Sequence, residues 1–150
     1  MSDSRTHVVF TDHDPGVLRT IEHNVNLQTR REAKCSTQSL RWGPSGESEV
    51  NLIKKMLDDT EKEIDLVLGT DVIYAHGVIA LLFWTIDALL AQTEEAVFLM
   101  CSSFSYDAVM EQEIDAMCTR YQLKRTILSC ELAHQGVRIQ QFKRRLRSHQ

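Results

Sequence analysis

The sequence predicts an α/β fold: a three-layer sandwich around a mostly parallel sheet that finishes in an antiparallel terminal strand pair. Three observations predict it. Short apolar runs bounded by turn signals, such as Leu66-Val67-Leu68 and Ala96 to Cys101, suit strands buried on both faces, as in parallel sheets. Apolar residues at helical spacing fill the stretches between them. The last two strand-like segments follow one another directly, and the second alternates, as an antiparallel edge does.

Taken in order, residues 1 to 6 are polar and expected to be loose. Val8, Val9 and Phe10 form a compact strand that ends in the acidic, turn-rich loop Thr11-Asp12-His13-Asp14-Pro15-Gly16. Val17, Leu18, Ile21 and Val25 then mark a helix. After the polar stretch Gln28 to Lys34, Cys35 to Trp42 reads as a strand near a sheet edge, closed by Leu40-Arg41-Trp42-Gly43 and broken by Pro44-Ser45-Gly46. Leu52, Ile53, Met56 and Leu57 give a short amphipathic helix. The central strand lies in Ile64 to Tyr74, entered after the charged run Asp58 to Glu63, and a helix runs from Gly77 to Leu90. Ala96 to Cys101 is the next strand, Ser102 to Ser105 a polar exit, and Val109, Ile114, Met117, Cys118 and Tyr121 mark another helix. Leu123 to Cys130 and Val137 to Phe142 are the final strands. The order is β-α-β-α-β-α-β-α-β-β, with right-handed crossovers.

With 150 residues, 43% hydrophobic and 25% charged, the chain has material for one core, and a single domain is expected over 1–150. A net charge of -4 requires neither nucleic acid nor an anionic membrane as partner. The basic cluster Lys143 to Arg147 reads as a solvated tail. Val78 to Leu90 is too short, and too interrupted by Thr85 and Asp87, to span a bilayer, and the first thirty residues hold no signal-peptide core. A cytoplasmic or nuclear home follows by default. Cys35, Cys101, Cys118 and Cys130 are far apart and sit in apolar patterns; buried free thiols are favoured over zinc or disulfides, and no metal site is expected.

Two carboxylates carry the chemistry. Asp12, at a strand end, is placed to accept hydrogen bonds from the two hydroxyls of a ribose; the alternative is that Asp12 or Asp14 caps the following helix. Asp71 and Tyr74 fall where the central strand turns into a helix, the end of an open α/β sheet where ligands collect. Their alternatives are a helix cap for Asp71 and packing at the helix start for Tyr74. A receiver-type phospho-acceptor domain would also use acidic residues at Asp12, Asp14 and Asp71, but no Pro-Gly follows Asp71 and no Lys-Pro ends a late strand.

Taken together, Val8-Val-Phe-Thr-Asp-His-Asp14, Leu40-Arg-Trp-Gly43, Asp65-Leu-Val-Leu-Gly-Thr-Asp-Val-Ile-Tyr74 and the terminal strand pair resemble the seven-β-strand (class I) S-adenosylmethionine-dependent methyltransferases, in particular the protein-lysine methyltransferase branch. The resemblance covers about residues 7 to 143. It implies a Rossmann-like methyltransferase sheet, S-adenosylmethionine as cofactor, and methyl transfer to a protein lysine or related amine. Asp12 would hold the cofactor ribose and His13 would line the adenosine side. Arg41 and Trp42 would flank the adenine, Trp42 offering a face for stacking or, alternatively, filling the core. Asp71 and Tyr74 match the D-x-x-Y motif beside the methyl and the incoming amine.

One departure stands out. Family members carry a glycine-rich loop, E/D-x-G-x-G-x-G, after their first strand, whereas Gly16, Gly43, Gly46, Gly69, Gly77 and Gly136 contain no G-x-G. The chain opens at what the family counts as its second strand, so the first strand and helix are missing. The expectation is a partial methyltransferase-like domain, inactive or weakly binding alone. Either the strands ending at Asp12 and Asp71 close the gap left by the missing strand, or another chain fills it, which would make the chain self-associate. A non-catalytic interaction module on the same scaffold is the alternative.

Overall fold

The computed structural model describes residues 6–27, 33–58, 63–128 and 133–145. Its elements follow the order expected from the sequence: β1 (His7–Asp12), α1 (Pro15–Leu27), β2 (Lys34–Ser39), α2 (Glu47–Asp58), β3 (Leu66–Thr70), α3 (Ile79–Leu89), β4 (Val97–Ser102), α4 (Ala108–Arg120), β5 (Leu123–Leu128) and β6 (Arg138–Arg144). The expectations for the full run Asp58 to Glu63, for Cys130 and for the tail past Arg145 reach outside the described residues.

The strands form two sheets, not one continuous sheet, and the chain divides into two compact units. The first unit holds residues 1–41 and 45–62. In it β1 pairs with β2 in parallel, from His7 opposite Lys34 to Asp12 opposite Ser39. A parallel pair needs a crossover, and α1 supplies it. Leu40 together with Val50, Ile53 and Leu57 of α2 is buried, whereas no residue of β1 or α1 is.

The second unit holds Trp42–Pro44 and residues 63–150. Its four strands lie in the order β3-β4-β6-β5. β3 and β4 are parallel; β6 is antiparallel to both β4 and β5, so the expected terminal antiparallel pair is present. The register puts Val67, Phe98, Phe142 and Arg125 on one face, with Met100 and Gln140 beside them. On this face Phe83 of α3 meets Phe98 and Phe142 edge-on at centroid separations of 6.3 and 5.3 Å. Ile114 and Cys118 of α4 join the same core. Face-to-edge contacts of this kind add to the area that aromatic rings bury.

The opposite face holds Leu66, Leu68, Val97, Leu99 and Ile139, none of them buried; Leu66 and Leu68 are 51% and 66% exposed. The central strand is therefore not enclosed on both sides as its run of apolar residues suggested. It is also shorter than Ile64 to Tyr74, because the chain leaves the ladder after Thr70. In β6 the alternation is real, but the enclosed residues are Gln140 and Phe142, while Ile139 is only half-buried. Cys35, Cys101 and Cys118 are free thiols; only Cys118 is fully buried, and burial pushes its pKa up to about 11. Among the described residues no helix is long and apolar enough to cross a membrane.

Candidate functional site

The D-x-x-Y segment starts where β3 ends. Asp71 adopts φ 51°, a left-handed conformation that short polar side chains tolerate better than most. Its N–H donates to the Cys101 carbonyl (2.9 Å), so the ladder with β4 persists one residue beyond the strand. The left-handed turn brings the carboxylate to the residues after β4. There Asp71 Oδ1 accepts from the Ser103 N–H (2.7 Å), and the Ser103 hydroxyl reaches both carboxylate oxygens at 2.9 and 3.0 Å. Asp71 therefore caps no helix: the short helical turn His76–Val78 is preceded by Ala75, without a side-chain cap.

The next two residues turn inward. Ile73 is fully buried and Val72 packs against the core, which leaves Tyr74 outside, 66% exposed. Packing at the helix start is thus not the role of Tyr74. The motif sets a fixed carboxylate and an open phenol on the surface, with two apolar residues between them as anchor.

Further ionisable groups belong to this end of the second unit. His76 Nε2 lies 3.3 Å from Asp107 Oδ2, and its Nδ1 lies 3.7 Å from Glu113 Oε2. Asp107 caps α4 by accepting from the Met110 N–H (2.8 Å), and that bond holds its carboxyl below the usual carboxylate range. Tyr106 is buried; burial pushes its phenol above the ordinary value, and the Asp71 carboxylate pushes the same way. Glu111 receives Arg125 (2.6 Å) and Arg138, two guanidiniums that outweigh the opposing effect of burial and keep its carboxyl low.

In the first unit, Asp12 closes β1, its carbonyl accepting from the Leu40 N–H (2.9 Å). Its Oδ1 accepts from the Asp14 N–H (2.9 Å) and lies 3.4 Å from Nδ1 of His13, whose side chain is 75% exposed. The helix cap falls to Asp14, whose Oδ1 accepts from Gly16 (2.6 Å) and Val17 (3.3 Å); those two N–H groups lower its pKa. Asp12 is thereby released from capping, and its Oδ2 makes no bond among the described residues. Arg41 pairs with Glu49 of α2 through Nε (2.9 Å), which draws its guanidinium toward its own unit.

Trp42 is half-buried against the core of the second unit, as the core-filling alternative required. Gly43 beside it, at φ +85°, donates its N–H to Thr85 Oγ1 of α3 (2.9 Å), and an added Cβ would meet Leu81 at 2.5 Å. The positive φ favours glycine there, and any Cβ would displace the end of the Leu81 side chain. Among the described residues no group of three or more His, Cys, Asp or Glu side chains is placed to hold a metal.

The residues fit part of a nucleoside cofactor. A free carboxylate oxygen at a strand tip, as on Asp12, is the acceptor that a ribose hydroxyl needs. For the amino-acid half, this sequence contains no G-x-G. Sequence reasoning passed over Ser103, whose only signal was the polar run directly after a strand. Compared with known proteins, residues 1–114 match the family model described as lysine methyltransferase. No curated protein matches the chain.

Proposed function

The chain belongs to the lysine methyltransferase family, and from that premise we propose that it is an S-adenosylmethionine-dependent methyltransferase domain acting on a protein lysine side chain. The observation that carries the reading is the Asp71 carboxylate, held by both donors of Ser103 in a left-handed turn and followed by the open Tyr74. When bound, S-adenosylmethionine supplies an electrophilic methyl group. Displacement at that carbon needs a neutral amine held in line, and no covalent intermediate. Asp71 accepts a hydrogen bond from the amine and orients it, its own geometry fixed by Ser103. The Tyr74 ring offers a π face to the alkylated ammonium that forms. Within the first unit, Asp12 takes the ribose, with His13 beside it on the adenosine side. A Rossmann-like fold and a cytoplasmic or nuclear location go with this reading.

Without a glycine-rich loop, affinity for the methyl donor in the isolated chain is expected to be weak. Saturation-transfer NMR, which detects weak ligands, tests the assignment: transfer to the ribose and adenine protons is expected, and Asp12→Ala should abolish it. Transfer that survives Asp12→Ala would sink the ribose role. Submicromolar binding to the monomer would contradict the account of the absent loop.

The bare face of the second sheet favours a second reading, a non-catalytic interaction module. β3 is an edge strand, and Leu66 and Leu68 stand exposed on it. Unpaired edges and apolar faces promote association. Light scattering distinguishes the two: a dimer that Leu66→Lys plus Leu68→Lys returns to monomer supports the module.

A further inference from the structure

A cavity of about 390 Å³ opens in the second unit at the end of the sheet remote from Asp71, where β4 begins and β6 ends. Three arginines line it, Arg120, Arg144 and Arg145, against a single carboxylate, Asp87. That carboxylate is already spoken for. Arg144, its side chain 7% exposed, binds Asp87 Oδ1 at 2.6 Å and donates three further bonds to the carbonyls of Asp87, Leu90 and Ala91 at 2.9 to 3.1 Å. Arg120 and Arg145 form no ion pair among the described residues; Arg120 rests over the Tyr121 ring, 5.5 Å from its centroid. In a chain of net charge -4, the cavity thus concentrates two uncompensated positive charges.

Its remaining lining suits an anion with an organic body. Gln92 and Gln122 carry side-chain amides able to donate, and the half-buried Tyr121 ring forms an apolar wall. Gln122 sits at φ 54°, in the tight turn between α4 and β5, where its N–H bonds back to Thr119 and its carbonyl receives the Arg145 N–H (2.8 Å). The turn therefore ties Gln122 and Arg145 together at the cavity. Guanidiniums and amides are donor groups that suit the non-bridging oxygens of phosphate better than a single carboxylate. The depression is open to solvent over much of its extent, and its volume leaves room beyond one phosphate.

We propose that this cavity binds a small phosphate monoester, its dianion between Arg120 and Arg145 and its organic part against Tyr121. The assignment is independent of the methyltransferase reading, since none of these residues belongs to the D-x-x-Y segment.

The test is an amide NMR titration at about pH 8, where a phosphate monoester is dianionic, with inorganic phosphate, phenyl phosphate and, at matched ionic strength, sodium chloride. Saturable shifts at Gln92, Tyr121, Gln122 and Arg145 are expected for both phosphates, with phenyl phosphate the tighter. Arg120→Gln with Arg145→Gln should weaken both by about tenfold or more. Lys55→Gln, a charge removed from α2 of the first unit, should change neither. Should chloride reproduce the shifts, or the double variant bind as wild type, the site is overturned. Equal affinity for the two phosphates means an adventitious ion only, and also overturns it. If the double variant loses its dispersed spectrum, Arg145→Gln alone decides on the same criteria.

Discussion

The two units use the same strand-helix-strand grammar, yet only the second closes a sizeable core. In the second, α3 and α4 cover one face of four strands, and Phe83, Phe98, Phe142, Ile73, Met100 and Ile114 are fully enclosed. In the first, β1 and β2 form a two-stranded ladder, and α1 buries nothing despite the regular spacing of Val17, Leu18, Ile21 and Val25. Spacing alone therefore makes a helix amphipathic without making it stable. Stability comes from the apolar area that a neighbour removes from water, and two strands offer little of it.

The sharpest way to break that contrast is Phe83→Ala. Truncating a fully enclosed ring should cost about 3–5 kcal/mol by urea denaturation of the chain, and a loss under about 1 kcal/mol would mean the aromatic trio is not the centre of the second unit. Next comes Arg144→Met. It removes the guanidinium that satisfies the closing carbonyls of α3 and strands Asp87, at an expected cost of about 2–4 kcal/mol.

A smaller effect belongs to Glu111, and pH reveals it. Its carboxyl is lowered in the fold from an ordinary value of 4.5, so the stability it confers is complete above that value and drains away as pH falls through the lower folded value. Glu111→Gln should therefore be less stable than wild type at neutral pH, with the gap closing below about pH 4; a gap that persists at low pH would show that charge is not what holds Arg125 and Arg138. Smallest of all is Asp14→Ala. Hydrogen exchange should quicken at the first turn of α1 with the melting of the second unit unchanged, and coupled loss of both would erase the contrast between the units.

Much of this architecture was legible in the sequence. Each strand and α-helix among the described residues has its counterpart in the sequence, because turn residues bracket short apolar runs and the helices keep their period; the short 3-10 turns have none. What was not legible arises from tertiary choice. Leu66-Val67-Leu68 reads as an enclosed strand, yet alternate side chains go to different environments, and a local run cannot say which face is covered. At the candidate site, Asp71 and Tyr74 were visible as a motif, whereas Ser103 was not, since its bond to Asp71 spans 32 positions of chain. The choice between Asp12 and Asp14 as cap was left open by spacing and decided by geometry: Asp14 reaches the Gly16 and Val17 amides.

The left-handed backbone at Asp71 has a bearing on how its charge should be probed. Alanine there would confound two losses, since a Cβ-only side chain sits poorly at φ 51° and gives Ser103 nothing to bind. Asparagine tolerates the same dihedral and keeps an acceptor, so Asp71→Asn isolates the formal charge from the shape of the turn. Glycine does the reverse, easing the backbone while erasing the side chain. Comparing these three alleles would separate conformational tension from electrostatics at one position, a decomposition that few sites on this protein permit.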